Sequence, residues 1–541
     1  MSVPTHHRNR KSDVRNLALY SACCVLSVFC LVGCGMDAKT ASSKADKKAY
    51  GAIDETWQDS FGSQTNYSVD PNGVRRVQAE AILDAIRNSQ TLTLEQSVQL
   101  AILSSPEYLT EVELMYLTGL DRADAEHLYE ITPFAGAGVN YARTGADETV
   151  QQQANVGMQQ LLATGATVMS DLTIGYLDVR TGTLSGGSSS LFQTAIVQPL
   201  LRGSARIVVM ETLTQAQQNM LYSVRDFNRF RKTFCVSVVN DYYRVTELAQ
   251  RAVIAEENVR TLEQLVSKME DLLALGRLTR FELEEAKQDI FKARQDHLEK
   301  QKLYVETFDL FKVRLNIPPQ TELELSPKNW LMLPDSLFAG SDWTEQKAVD
   351  VALAQRLDLA NTLDQVADTQ RKIKIAEDAL GADLSLVGYA APNTGRNSTS
   401  RYELGLQGSL PLDRVTEANN YKRATIALTA QERLHEQLSY TVVSEVRKSW
   451  RDMAEAQTRY DLLKTARELA QKRLENTTLL LRYGRASTRD VLDAQEDLYD
   501  AEDDYVSALA DFATAQMNFL RDTETLWIQP DGSFESKLAS R

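Results

Sequence analysis

Gly276-Arg277-Leu278-Thr279-Arg280-Phe281-Glu282-Leu283-Glu284-Glu285-Ala286 returns 208 positions later as Gly484-Arg485-Ala486-Ser487-Thr488-Arg489-Asp490-Val491-Leu492-Asp493-Ala494. Gly, Arg, a hydroxyl residue, two acids, an aliphatic residue and Ala recur at one offset, which marks an internal repeat. Residues 204–317 hold no proline and one glycine, Gly276; residues 412–529 likewise hold only Gly484. Proline removes a helical donor and glycine loosens the backbone, so each interval reads as a helical hairpin broken once, at its tip. The outgoing arm of about 70 residues is roughly 100 Å long at 1.5 Å per residue, too long for an ordinary globular domain.

Periodicity shows how such arms stand in water. Val491, Leu498, Tyr505, Phe512 and Phe519 fall every seven residues, as do Ala494, Ala501, Ala508 and Ala515. One large and one small position per heptad is the seam of closely packed antiparallel helices. The first repeat keeps the seam through Leu283, Ile290, Tyr304 and Phe311 but breaks it at His297 and Lys300. Val446, Trp450, Met453, Tyr460 and Leu463 add an apolar stripe to the outgoing arm, read as packing and not as cofactor contacts.

The repeat also shows upstream. Leu92-Thr93 followed by Ser97-Val98-Gln99-Leu100-Ala101-Ile102 matches Trp343-Thr344 followed by Ala348-Val349-Asp350-Val351-Ala352-Leu353, with Thr93 and Thr344 as N-caps. Between the helical parts lie strand-like stretches. Tyr402, Leu404, Leu406 and Leu410 alternate with Glu403, Gly405, Gln407 and Ser409; Val168, Leu172, Ile174 and Tyr176 oppose Thr167, Asp171 and Thr173. Phe134–Tyr141, Phe192–Gln198 and Asp383–Tyr389 are less regular candidates. Apolar-out, polar-in alternation fits a membrane barrel around a wet lumen; a half-buried soluble sheet gives the same pattern. The polar segments Arg180–Ser190 and Asn393–Ser400 read as surface loops.

The N-terminus reads as an export signal: Arg8, Arg10, Lys11 and Arg15, then an apolar run from Leu17 to Val32. Leu31-Val32-Gly33-Cys34 resembles a bacterial lipobox, which implies cleavage before Cys34 and its lipidation; the alternative is a signal anchor that stays in place. Gly35, where an Asp would imply inner-membrane retention, points to the outer membrane. Cys235 is then the only thiol left, so no intramolecular disulfide is possible. Residues 34–541 carry 55 basic and 73 acidic side chains, a formal charge of −18, and no basic patch, which excludes nucleic acid as a partner. After residue 33 no apolar run approaches the roughly 18–20 residues of a membrane helix, so any crossing must use strands. His127, His297 and His435 have no metal-ligand spacing, and no nucleophile elbow, phosphate loop or dinucleotide fingerprint is present. Neither an enzyme nor a metal or cofactor site is expected.

Helix, strands, long helix, tip and returning helix, then the same again, resembles the TolC family of outer-membrane factors over about residues 92–528. Gln198-Pro199-Leu200-Leu201-Arg202-Gly203 is similar to the family's strand-to-helix junction, and Tyr483 through Gln495 to its second tip. The division this implies is a signal peptide over 1–33, a lipidated flexible tether with a short helix near Arg75–Arg87 over 34–91, repeats over 92–330 and 343–528, and a tail over 529–541. The fold implied is mainly α with a membrane β-barrel portion. Each chain of a homotrimer gives about four strands to a shared twelve-strand barrel and four helical columns to a periplasmic α-barrel. A lone chain fails physically, because four strands leave open edges in lipid.

The resemblance further implies an outer-membrane exit duct that works with a periplasmic adaptor and an inner-membrane transporter. Its closure lies at the tips, where acidic rings face the axis. Asp490 and Asp493 match those positions, three apart on one helix face, and Glu282 and Glu285 are their first-repeat equivalents. Such a ring favours cations and raises carboxyl pKa values by mutual repulsion, whereas isolated acids would simply complement the helix dipole. The family's gating Tyr and Arg are replaced by Leu481 and Ala486, leaving Arg482 or Arg485 as the latch to Glu282. Gly276, Arg277, Gly484 and Arg485 are the candidates for docking an adaptor. The competing reading is a lipid-anchored periplasmic coiled-coil scaffold without a pore, which has no use for alternating strands.

Overall fold

The computed structural model describes residues 37–61, 74–145, 147–181, 186–276, 278–325, 343–392, 400–528 and 534–536. Residues 1–33, Cys34 and Arg277 lie outside the described residues. The chain divides into two compact units: Met1–Gly62, Tyr116–Tyr222 and Asp364–Glu432 form one, and Ser63–Met115, Ser223–Leu363 and Arg433–Arg541 the other. Each unit takes pieces of both repeats, so the duplication in sequence is not a division into two domains.

Helix α1 (Ala38–Phe61) opens the first unit. Its Ser-, Ala-, Lys- and Asp-rich sequence suggested a flexible tether, and that expectation is corrected here. Ala49, Ala52, Ile53 and Trp57 form a buried stripe at helical spacing. Further along the chain, helix α2 (Val74–Ser89) is the short helix expected near Arg75–Arg87. After the two-residue strand β1 (Thr91–Leu92), helices α3 (Leu94–Ser104) and α4 (Pro106–His127) follow with a break at Ser105. Pro106 causes the break, since proline is tolerated at a helix start but not inside one. The C-terminal half of α4 packs on α1. Gly119 lets the backbones approach, since a Cβ there would lie 3.2 Å from the Ala49 carbonyl oxygen. Tyr116 Oη donates to Asp46 at 2.6 Å, and Arg122 joins Glu55, Thr56 and Glu126.

The first unit also holds a sheet of β2 (Thr132–Thr144), β3 (Asp147–Leu161), β4 (Thr167–Thr181), β5 (Gly187–Pro199), β7 (Asp383–Ala391) and β8 (Arg401–Ser409). The strands lie in that order and every neighbouring pair is antiparallel. All five strand candidates read from the sequence are present, but the expected four strands per chain become six. The unanticipated one is β3. The run Gln151-Gln152-Gln153 puts glutamine on both faces of the strand, which disguises the period of Ala154, Val156 and Met158. The expected loop 180–190 is corrected: Arg180 and Thr181 end β4 and Gly187–Ser190 opens β5, with 182–185 outside the described residues, as is 393–399 of the other expected loop.

Helix α5 (Arg206–Val209) belongs to the first unit; α6 (Glu211–Ala274) and α10 (Val415–Arg482), of 64 and 68 residues, are the outgoing arms, and each begins in the first unit and continues into the second. Their returning partners are α7 (Arg280–Arg314) and α11 (Thr488–Asp522), each of 35 residues. Strand β6 (Glu324–Leu325) pairs in parallel with β1. Helices α8 (Glu345–Gln355) and α9 (Leu357–Asp378) repeat the α3–α4 pair with a break at Arg356. Beyond α11, β9 (Leu526–Ile528) pairs with β10 (Phe534–Ser536), so the stretch read as a tail contributes a strand.

The repeat is visible in the packing. Phe519 is wholly buried among Val349, Val446 and Met453, with the Trp450 ring edge-on at 5.6 Å. At the same offset in repeat 1, Phe311 takes Tyr242 edge-on at 6.4 Å. Lys300, which broke the heptad, has its reason too: Nζ reaches Asp503 at 2.8 Å and Tyr499 Oη at 2.5 Å. Asp503 also accepts from Arg251 at 2.7 and 2.8 Å, tying three helices together. Burial pushes the Asp503 carboxyl up, but the hydrogen bonds from Arg251 and Lys300 outweigh it and hold it below its ordinary value.

Candidate channel wall and tip closure

Residues directly opposite in antiparallel strands share a face, so the registers sort the sheet's side chains completely. One face carries Ala137, Val139 and Tyr141 of β2, then Ala154, Val156 and Met158 of β3. It continues through Leu172, Ile174 and Tyr176 of β4 to Phe192 and Ile196 of β5, and ends in Leu384 and Leu386 of β7 and Tyr402, Leu404 and Leu406 of β8. These side chains are left uncovered: Leu404 is 78 % exposed, Tyr402 69 % and Val139 64 %.

The opposite face is the more polar one, although Phe134, Met169, Leu191 and Val197 also lie on it. It carries Asn140, Gln151, Gln153, Asn155, Thr173, Ser189, Ser385 and Gln407. Asp171 is the buried acid on it; its carboxylate accepts from Thr173 at 3.0 Å and from Gln193 at 2.9 Å, and Tyr389 Oη donates to Gln193 at 2.9 Å. Arg401 pairs with Glu403 at 2.6 Å and lies over the Tyr389 ring. A sheet with a dry, exposed face and a hydrogen-bonded wet face is suited to standing between hydrocarbon and water. Among the described residues no helix is long and apolar enough to cross a membrane.

The tips belong to the second unit. Gly484 has φ +69° and closes α10: its N–H donates to the Leu481 carbonyl at 3.0 Å and that of Arg485 to Leu480 at 2.9 Å. This left-handed helix stop favours glycine, and Gly276 repeats it with φ +70°. Three residues further, each returning helix starts with a reciprocal cap. The Ser487 N–H donates to Asp490 Oδ2 at 2.7 Å while the Asp490 N–H donates to Ser487 Oγ at 3.2 Å. Thr279 and Glu282 do the same at 2.9 and 3.3 Å. The recurring hydroxyl and acid of the repeat are therefore two capping boxes.

The expected rise in carboxyl pKa is corrected for Asp490 and Glu282 within one chain. The backbone N–H groups of Ser487 and Thr279, and then their hydroxyls, hold these carboxyls below the ordinary range. Asp493 and Glu285 are placed differently. Both meet Arg489, at 2.7 and 2.8 Å, with Asp289 at 3.6 Å from the same guanidinium. Of the four predicted acids, these two are brought together, across the two repeats. The arginine that joins them was not among those expected; neither Arg482 nor Arg485 forms the ion pair to Glu282 that was anticipated, and both are exposed. The signal was available: Arg489 sits one turn before Asp493 on the same helix. The sequence reading also passed over Leu275 and Tyr483, equivalent positions immediately before the tip glycines, 70 % and 74 % exposed.

Beneath the tips Leu262, Val266 and Met269 of α6 meet Leu283, Ala286 and Ile290 of α7 and Leu492 of α11. A groove of about 740 Å³ opens beside them, lined in part by Leu265, Leu278, Leu481, Arg482 and Val491.

Residues 348–521 match the family model of the outer membrane efflux protein. The chain has the fold of a TolC-family outer-membrane factor. The solved outer-membrane protein VceC of Vibrio cholerae is 13 % identical and superposes with a TM-score of 0.58, over 80 % of this chain and 95 % of its own. The outer-membrane channel OprN is 14 % identical with a TM-score of 0.59, over 85 % and 96 %. The open-state channel MtrE of Neisseria gonorrhoeae is 16 % identical with a TM-score of 0.58, over 80 % and 88 %. No curated protein matches the chain. The outer-membrane-factor architecture, a helical portion with a β portion, is thus kept at an identity that has erased most side chains.

Proposed function

We propose that the protein is the outer-membrane exit duct of a tripartite efflux pump or a type I secretion system, a passive channel closed at its helix tips. The observation that carries this reading is the sheet: one face that is mainly apolar, with Gln152, Ser170 and Thr194 among its polar exceptions, one that is mainly polar, and two open edges that lipid does not tolerate. A homotrimer closes those edges and encloses water. Lipidation at Cys34 anchors the chain in the outer membrane, and the helices serve the periplasmic side. Asp493 and Glu285, held by Arg489, with Asp490 and Glu282 behind their caps, line the closure. Gly276, Arg277, Gly484 and Arg485, flanked by exposed Leu275 and Tyr483, offer the docking surface for a periplasmic adaptor bound to an inner-membrane transporter.

The test is conductance of the purified assembly in a planar bilayer. Discrete channel currents are expected, and a scaffold without a pore gives none. In a conducting assembly, Asp490→Asn with Asp493→Asn should weaken block by multivalent cations several-fold; unchanged block would remove these acids from the constriction.

A further inference from the structure

The β-region of repeat 1 is larger than that of repeat 2. Pro199 follows Thr93 by 106 positions and Pro411 follows Thr344 by only 67, a surplus of 39. The structure shows where the surplus goes: repeat 1 builds four strands, β2 to β5, and repeat 2 builds two, β7 and β8. The added piece is the hairpin β2–β3, which forms an unbroken ladder from Thr132↔Gln159 to Thr144↔Asp147.

This hairpin has the properties of wall. Its apolar face continues that of β4 without a step, since Val156 lies opposite Leu172 and Ala154 opposite Ile174. Its other face continues the polar one, with Asn155 opposite Thr173. At its base Gln160 Nε2 donates to the Tyr129 carbonyl at 3.2 Å, holding both ends just beyond the C-terminal end of α4. Phe134 lies over Gly157, where an added Cβ would come within 2.5 Å of Cζ and 2.7 Å of the Ser170 carbonyl oxygen. The hairpin is therefore fitted to β4 as closely as any pair in the sheet.

Resting on the trimeric duct proposed above, we propose that β2–β3 belongs to the barrel wall, so that three chains close eighteen strands. The edges suit this closure. β2 and β8 are the sheet's two ends and run in opposite senses, so β8 of one copy pairs antiparallel with β2 of the next. Six strands fall short of even the eight of the smallest outer-membrane barrels, so one chain does not close alone. Barrel diameter grows roughly linearly with strand number: at ~4.8 Å spacing and ~40° tilt, eighteen strands give a backbone diameter of ~36 Å against ~24 Å for twelve. On the lumen face the added arc bears only uncharged side chains from Phe134 to Ala142 and from Thr149 to Gln159, with Asn140, Gln151, Gln153, Asn155 and Gln159 as its polar groups. It widens the exit for bulky hydrated cargo without selecting on charge.

The experiment labels single cysteines in the full-length assembly, in vesicles, with a membrane-impermeant maleimide; Cys235 is buried and gives a low background. The reference pair is Thr173→Cys and Ile174→Cys on β4, and the test pair is Asn155→Cys and Val156→Cys on β3. Lumen positions are expected to label at least tenfold faster than lipid positions in both pairs, and electron microscopy of the trimer to count eighteen strands. If β4 alternates but both β3 positions label freely, or twelve strands are counted, whether in a trimer or a dimer, the wider wall is overturned and the duct survives. If β4 itself fails to alternate, the duct reading falls with it.

Discussion

The two tips share a backbone and differ in what they hold. Gly276 and Gly484, Thr279 and Ser487, and Glu282 and Asp490 perform the same three tasks: a left-handed stop, an N-cap and a reciprocal acid. One residue before that acid the copies part. Repeat 2 has Arg489, which gathers Glu285 and Asp493; repeat 1 has Phe281, which is 77 % exposed. Duplication fixed what the chain needs in order to turn, and left the side chains that face outward free to diverge. The same holds for the sheet, where repeat 1 acquired a hairpin that repeat 2 lacks while the helices around both kept their pattern.

The comparison can be broken first at the aromatic pairs, where the repeats agree. Phe519→Ala and Phe311→Ala, at sites 0 % and 3 % exposed, should each cost ~3–5 kcal/mol in denaturant unfolding of the detergent-solubilised protein. Tolerance of one and not the other would show that the copies do not share a core. In the sheet, Gly157→Ala should cost ~1–3 kcal/mol by overpacking, while Gly405→Ala, with open space at its Cβ position, should not change unfolding. Equal effects would mean that β3 is not seated on β2 and β4. At the caps, Thr279→Ala and Ser487→Ala should speed amide exchange in the first turns of α7 and α11 by matching factors, each cap contributing ~1 kcal/mol.

Acid should act on both tips alike. A carboxyl whose folded pKa lies below its unfolded value stabilises the fold above the ordinary carboxyl range and loses that effect as pH falls through the folded value. For Glu282 and Asp490 this places tip loosening below about pH 4, read as faster amide exchange there; loosening that begins near neutral pH would contradict the capping boxes. The smallest effect sharpens the difference between the tips. Arg489→Ala should change stability by at most ~1 kcal/mol, since its ion pairs are half-exposed, yet raise channel opening, whereas Phe281→Ala should leave opening unaltered.

Much of this was legible in advance because it is local. The tip motif, the threonine caps, the heptad seam of α11 and the alternation of β8 all act within a few residues, so spacing reveals them. Three features escaped for physical reasons. The helix α1 is polar and small-residued, and its stripe of Ala49, Ala52, Ile53 and Trp57 has meaning only against α4. In β3 the glutamines mask the period, and the unequal spacing of the two repeats was its surviving trace. Arg489 lies in plain view, but which of several nearby arginines meets Glu285 depends on how two helices from different repeats pack.

The sequence alone determined that the chain is a duplicated set of long helical hairpins joined through alternating strands, because helix, cap and strand propensities follow from neighbours in the chain. Tertiary structure alone decided how many strands share the sheet and which charges meet at the tip. The β5–β7 ladder joins Thr194 to Ala390, and the tip ion pair joins Glu285 to Arg489, 204 positions away; no local period encodes such partners.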